Sequence, residues 1–207
     1  MIAIIDYDMG NLRSVEKALA KLGSESVITR DAQVIADATH VVLPGVGAFK
    51  DCMHNLEEYG LIDPIKKAVN SGKPFLGICI GLQLLFDESS EQGTHFGLGI
   101  IKGKVVRFPA PHHTEGSEFK IPHMGWNAVK ASKASALLEG TPDGEYFYFV
   151  HSYYAKPEDQ SVTLTTTQYG EEFASSIEHG NVMACQFHPE KSQRAGLKLL
   201  ENFRRLS

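Results

Sequence analysis

Short apolar runs alternate with helical stripes over roughly the first 90 residues, and that alternation constrains this chain more than any other feature. Ile2–Asp6 is a continuous apolar run closed by a carboxylate, the pattern of a strand buried on both faces. Leu12, Val15, Leu19 and Leu22 then recur at helical spacing, with Asn11 placed to cap the start and Gly23 to stop it. Val27-Ile28 reads as a second strand, Asp31 opens a short helix, and His40–Leu43 reads as a third strand, broken by Pro44-Gly-Val-Gly47. One helical stripe runs from Phe49 through Cys52, Met53 and Leu56 to Gly60, and another from Ile62 through Ile65 and Val69 to Gly72. Pro74–Ile78 is the next strand, and Gly81–Phe86 begins the next helix. Strands separated by helices pair in parallel, and a parallel sheet must have both faces covered.

The second half is richer in strands. Ile100–Phe108, Ile121–Val129, Tyr146–Tyr154, Val162–Thr167, Phe173–Glu178 and Val182–Phe187 all have strand composition. Tyr169-Gly-Glu-Glu172 and Glu178-His-Gly-Asn181 read as hairpin turns. A helix through Ala195, Leu199, Leu200 and Phe203 closes the chain, with Arg204 and Arg205 in its last turn, where the helix dipole favours cations. Pro109–Lys120 reads as a mobile surface loop. The expected fold class is α/β: an open sheet, mostly parallel with an antiparallel extension, with helices on both faces.

Composition agrees with one such domain over residues 1–207. The apolar fraction of 43% and charged fraction of 22% suit a soluble chain with a real core, which excludes a disordered tail, a collagen-like rod or a disulfide-stapled miniprotein. Twenty Lys and Arg against 25 Asp and Glu leave a net charge of −5, so no nucleic acid or membrane partner is expected. Cys52, Cys79 and Cys185 are an odd, widely spaced set, better suited to a reducing cytosol than to a disulfide framework. Met1–Asp6 lacks the basic start and long apolar stretch of a signal peptide, and a cytoplasmic location is expected.

Three turns carry candidate chemistry. Gly77-Ile-Cys79-Ile-Gly81 lies between an expected strand and an expected helix, the setting of a nucleophile elbow with cysteine in place of serine. A helix N-terminus favours thiolate over thiol and leaves the Ile80 N–H free for an oxyanion. Alone, the pattern reads better as a buried cysteine between packing glycines. In Phe187-His188-Pro189-Glu190 the residues at i and i+2 face the same way, so Glu190 can orient His188 as a general base for Cys79. Pro44-Gly-Val-Gly47 ends a parallel strand, at the edge where such sheets bind ligands. Its Val46 and Gly47 backbone can complete an oxyanion hole, or the segment can be a tight turn and nothing more. No phosphate-loop spacing is present. His112, His113 and His123 match no zinc spacing and read as surface or loop residues, so neither metal nor cofactor is expected. Cys52 and Cys185 read as core, and Trp126 as either core or a partner anchor.

Taken together, Gly77-Ile-Cys-Ile-Gly81, His188-Pro-Glu190 and Pro44-Gly-Val-Gly47 resemble the class I (triad) glutamine amidotransferases. Ile121-Pro-His-Met-Gly-Trp-Asn127, Phe149-Val-His-Ser-Tyr-Tyr154 and Phe187-His-Pro-Glu-Lys-Ser192 narrow the likeness to the glutaminase subunits of imidazole glycerol phosphate synthase, from Ile4 nearly to the chain's end. The resemblance implies a flavodoxin-like scaffold and a Cys79, His188, Glu190 triad that hydrolyses glutamine through a glutamyl thioester. It implies that Gly47, Gln83, Glu91 and the His151, Ser152, Tyr153 segment hold the substrate; of these, Gln83 also shares a helix face with Cys79 by i, i+4 spacing. It further implies a heterodimer with a (β/α)₈ cyclase subunit, with Trp126 and Lys191 near the interface. Ammonia would pass through a tunnel to make imidazole glycerol phosphate and an aminoimidazole carboxamide ribotide in histidine biosynthesis. Glycines in the Pro44–Gly47 loop would let a peptide plane flip, so that the partner's ligand gates the oxyanion donor. The competing readings are another amidotransferase or cysteine hydrolase on the same scaffold, and a non-catalytic binding module.

Overall fold

A computed structural model describes residues 1–109 and 120–207. Most of the expected 109–120 loop, with His112 and His113, therefore lies outside the described residues. The chain runs β1 (Ile2–Ile5), α1 (Leu12–Lys21), β2 (Ser26–Thr29), α2 (Ala32–Asp37), β3 (His40–Leu43), α3 (Phe49–Glu58), α4 (Ile62–Asn70), β4 (Phe75–Ile78) and α5 (Ile80–Leu84). It continues with β5 (Phe86–Ser89), β6 (His95–Phe96), β7 (Ile101–Arg107), β8 (His123–Ala131), β9 (Glu145–His151), β10 (Tyr153–Pro157), β11 (Thr163–Tyr169), β12 (Glu171–His179), β13 (Val182–Cys185) and α6 (Gln193–Arg204).

A nine-stranded sheet in the order β2-β1-β3-β4-β13-β12-β11-β8-β9 forms the body, with helices around it. Its first five strands pair in parallel. The other four add an antiparallel extension. β1, β3, β4 and β13 are buried at every position, which is why each is a short unbroken apolar run. Each fully buried Ile, Val or Leu here contributes about 1.5–3 kcal/mol from the area removed from water. α1 lays Val15, Ala18 and Leu19 against this core. Asp31 caps α2 by accepting from the Gln33 and Val34 amides. Asn11 occupies the corresponding position of α1, but its side chain makes no capping bond. Among the described residues, no helix is long and apolar enough to cross a membrane.

Two readings of the sequence are corrected. Phe86, expected inside a helix, begins β5, because α5 stops after Leu84 and Phe86 pairs with Ile101 of β7. The run Tyr146–Tyr154 is not one strand but β9 and β10, split at Ser152. β9 pairs with β8 in the large sheet, whereas β10 joins a second, four-stranded sheet in the order β10-β7-β5-β6. Both misreadings come from partners distant in sequence, which local composition does not reveal.

The topology places three turns side by side. β4 lies between β3 and β13, with Leu43 opposite Gly77 and Cys185 opposite Ile78. The segments that follow these three strands hold Pro44–Gly47, Cys79 and His188, all at the C-terminal edge of the parallel block. The packing there leaves no room for side chains on the elbow glycines. A Cβ added at Gly81 would lie 1.8 Å from the Leu43 carbonyl oxygen, and one at Gly77 would lie 2.8 Å from the Gly81 carbonyl oxygen. Gly81→Ala is expected to lower stability by about 1–3 kcal/mol, the range for overpacking a dense site. A urea titration checks this; an unchanged midpoint would show that the contact has slack.

Candidate active site

Cys79 carries the strain of the turn it occupies. Its φ of 56° and ψ of −110° are unusual for a residue with a side chain, and such backbone conformations persist where surrounding structure over-determines them. The Cys79 amide donates to the Cys185 carbonyl at 2.8 Å, which ties the turn to β13. The sulfur sits at the start of α5, whose first N–H groups, Ile80 among them, have no intrahelical acceptor.

His188 is fixed at its backbone from both sides. Its amide donates to the Tyr148 carbonyl at 2.9 Å, and its carbonyl accepts from the Ser192 hydroxyl at 2.6 Å. A single 3₁₀ turn, Pro189–Lys191, follows and brings Glu190 back beneath the ring. Gly196 of α6 permits this turn, since a Cβ there would fall 1.8 Å from the Pro189 carbonyl oxygen. His188 Nδ1 donates to Glu190 Oε1 at 2.8 Å, with both side chains almost fully buried. Nε2 is buried without a hydrogen-bond partner, and His188 lines one cleft with Cys79. Burial opposes the charged imidazolium, but the interactions with Cys79 and Glu190 overcome it and raise the His188 pKa to about 10.

These groups open onto a cleft of about 280 Å³. Val46, Gly47, Cys79, Ile80, Gln83, Glu91, His151, Ser152, Tyr153 and His188 all line it, so every residue that the sequence nominated for oxyanion or substrate contact reaches one cavity. Glu190 stands behind His188, outside the lining. Pro122 and Val150 also line the cleft and were missed by the sequence reading. On the Pro44–Gly47 loop, Pro44 O accepts from the Tyr7 hydroxyl at 2.7 Å and Val46 O from the Cys52 thiol at 3.6 Å. Gly47 has a φ of +101°, the left-handed region that glycine tolerates. Glu91 accepts from the Phe49 amide at the start of α3. Gln83 donates to the Tyr153 carbonyl and to Gln186 Oε1, both at 3.0 Å, while its own Oε1 is buried without a partner.

Gln186 is a third residue that the sequence reading passed over. Its signal was present, a lone amide in the otherwise apolar run Val182–Phe187. His123 needs correction too. Rather than a surface or loop residue it is buried at the start of β8, stacked between Phe149 and Tyr169 with centroids at 4.7 and 3.8 Å. Its Nδ1 lies 2.9 Å from His151 Nε2, and His151 Nδ1 lies 2.8 Å from the Tyr153 carbonyl. Trp126 and Lys191 lie apart from the cleft and flank Tyr148. The Trp126 ring is 6.1 Å from that of Tyr148, and the Lys191 ammonium 6.0 Å. Trp126 is exposed along with Met124 and Tyr146, which removes the core alternative for it.

A strained cysteine turn, an imidazole backed by a carboxylate and a glycine loop at one sheet edge define a class of protein that comparison identifies. The chain belongs to the class-I glutamine amidotransferase family, whose model matches residues 3–206. It is 54% identical over 203 residues to the imidazole glycerol phosphate synthase subunit HisH of Syntrophotalea carbinolica, covering 98% of each chain. It is 57% identical over 203 residues to the subunit of the same name from Aquifex aeolicus, covering 98% of this chain and 95% of that one. Among solved structures, one described as a glutamine amidotransferase superposes with a TM-score of 0.72 at 21% identity, covering 99% of this chain and 100% of that one. That likeness supports the fold.

The three histidines of the site titrate in opposite directions. Burial lowers His123 to about 4 and His151 to about 3, while His188 rises to about 10. Against an unfolded value of about 6.5, the folded state binds the extra proton of His188 between about pH 6.5 and 10, so that contribution to stability fades as pH rises through the window. For His123 and His151 the unfolded state binds more protons below about pH 6.5, so their contribution is lost as pH falls. Nitrogen-15 NMR of the imidazoles at pH 8 is expected to show His188 doubly protonated and the other two neutral. Glu190→Gln should move the His188 transition to lower pH; an unmoved transition would deny Glu190 its share.

Proposed function

We propose that this chain is the glutamine-hydrolysing subunit of imidazole glycerol phosphate synthase, with residues 1–207 acting as one domain in the cytoplasm. The carrying observation is that Cys79 and His188 line one cleft with Glu190 bonded behind the imidazole, in a chain whose relatives are named for that subunit. The free, buried cysteines suit a reducing compartment.

The geometry supports the following chemistry. Glutamine enters with its α-ammonium near the Glu91 carboxylate and the unpartnered Gln83 Oε1. The Cys79 sulfur adds to the side-chain amide carbon, and the carbonyl electron pair moves to oxygen. N–H groups of Ile80 and of the Val46–Gly47 segment hold that oxyanion; removing one such donor typically costs about 10²–10³ in rate. His188, held by Glu190, gives its Nε2 proton to the amide nitrogen as the C–N bond breaks, releasing ammonia and leaving a glutamyl thioester. His188 then takes a proton from water as it attacks the thioester. The C–S bond breaks, glutamate departs and Cys79 is restored as the thiolate beside the reprotonated imidazole.

Ammonia in bulk water is mostly protonated near neutral pH, so we infer delivery to a bound (β/α)₈ cyclase through an enclosed path. The exposed apolar face of Met124, Trp126 and Tyr146 on β8 and β9, with Lys191 beside it, suits that heterodimer contact. The Pro44–Gly47 loop is the proposed gate, its glycines allowing the oxyanion donor to turn once the partner holds ligand.

Cys79→Ala is expected to reduce glutamine hydrolysis by at least about 10⁴-fold without loss of fold, read by glutamate release and circular dichroism. A glutamine-mimicking electrophile should modify Cys79 alone and be blocked by glutamine. Spread of label to Cys52 and Cys185 would count against the reading. For the gate, turnover of the chain alone is compared with turnover beside its cyclase and nucleotide substrate, and equal rates would reject it.

A further inference from the structure

We propose that Gln186 is a further catalytic residue, whose side-chain amide donates a hydrogen bond to the Cys79 sulfur and stabilises it as the thiolate. The inference rests on the glutaminase reading for its turnover arm but not for its ionisation arm.

Gln186 is fully buried, and its Nε2 lies 3.8 Å from Cys79 Sγ. An amide can be turned end for end, so the donor must be established rather than assumed. The Tyr153 carbonyl settles it, because a carbonyl only accepts. Gln83 must therefore offer its NH₂ to Tyr153, at 3.0 Å. That same NH₂ meets Gln186 at 3.0 Å, which obliges Gln186 to present Oε1 there and leaves its Nε2 aimed at the sulfur. Turning Gln186 over would set its NH₂ against that of Gln83 and aim its oxygen at a sulfur that, as the thiolate, has no proton to donate.

The remaining surroundings of the sulfur leave this role open. His188, with Glu190 behind it, is the charged partner. Tyr7, Cys52 and Cys185 are near enough to feel a charge on Cys79, but burial pushes all three upward and holds them neutral through ordinary pH. A thiolate with one imidazolium partner still has lone pairs to satisfy in a buried site, and an N–H donor to an ionised acceptor is among the stronger hydrogen bonds. The same donor assists the second half-reaction. When water has added to the thioester, the C–S bond breaks with its electron pair going to sulfur, and a stabilised thiolate leaves more readily.

Gln186→Met matches the side chain in length and removes the donor; Gln186→Glu keeps an acceptor for Gln83 and sets an acid beside the sulfur. In each, the pH dependence of Cys79 alkylation by iodoacetamide and of thiolate absorbance is measured with glutamine turnover. The expected result is a shift of the thiolate transition upward by about one pH unit, with kcat down about tenfold or more and circular dichroism unchanged. In the unaltered protein, the Gln186 side-chain amide resonance should follow the same thiolate transition, an observation that no folding defect can disturb. Coincident alkylation profiles in a folded variant, or a Gln186 resonance indifferent to Cys79 ionisation, overturn the proposal. If the unaltered chain alkylates as expected but releases no glutamate alone or with its cyclase, the glutaminase reading fails while the hydrogen bond stands.

Discussion

The register of β4 between its two parallel neighbours is the constraint on which the site depends. Leu43 opposite Gly77 and Cys185 opposite Ile78 bring three strand ends to the same level. Because parallel strands share a direction, the chain leaving each one emerges on the same side of the sheet. Cys79 and His188 are more than a hundred residues apart in sequence, yet they meet because β13 pairs directly with β4. A slip of one residue in either ladder would exchange the two faces of β4, both of which are closely packed, so the fit of the core fixes the register and through it the relation of sulfur to imidazole.

The glycines convert that register into close approach. Gly81 faces the Leu43 carbonyl, Gly77 faces the Gly81 carbonyl, and a Cβ on Gly45 would lie 2.3 Å from the Tyr7 hydroxyl. Gly81 and Gly45 bring the Cys79 turn against the segment leaving β3, and Gly77 lets the elbow close on itself, which packs the strained Cys79 turn. Strain at Cys79 is sustained by contacts at residues that carry no chemistry themselves. Gly196 does the same for the His188 turn by admitting the Pro189 carbonyl into the flank of α6.

How legible all this was in the sequence followed the range of the interactions involved. The parallel block was readable because burial on both faces demands continuous apolar runs, as in Ile2–Ile5 and His40–Leu43. The turns bearing Gly47, Cys79 and His188 were readable because their motifs are local and carry recognisable residue types, whereas Glu91 and Ser152 of the cleft lining came from the family resemblance alone. Phe86 and Ser152 were misplaced because their conformations answer to β7 and to the second sheet, partners that local composition cannot announce. His123 was misread for a related reason. A histidine looks polar in sequence, yet between Phe149 and Tyr169, with His151 accepting from its ring, it is a neutral member of an aromatic core. Gln186 escaped because its role is set by Gln83, about a hundred residues away, and by no neighbour in sequence.

Hydrogen-bond direction joins that aromatic core to the nucleophile. Asn127 Oδ1 accepts from the Ala128 amide, so its NH₂ faces the Gln168 carbonyl at 3.0 Å and His123 Nε2 at 3.2 Å. His123 must then carry its proton on Nδ1 and donate to His151 Nε2, and His151 must donate from its own Nδ1 to the Tyr153 carbonyl. That carbonyl also receives Gln83, which orients Gln186 toward the sulfur. Every bond in this series has one allowed sense as long as both histidines remain neutral. Protonating His151 would oblige two N–H groups to face each other across the His123 contact. The depressed pKa values of His123 and His151 and the elevated one of His188 are thus complementary requirements. The first two keep the series in one orientation, and the third supplies the single charge that the Cys79 sulfur faces.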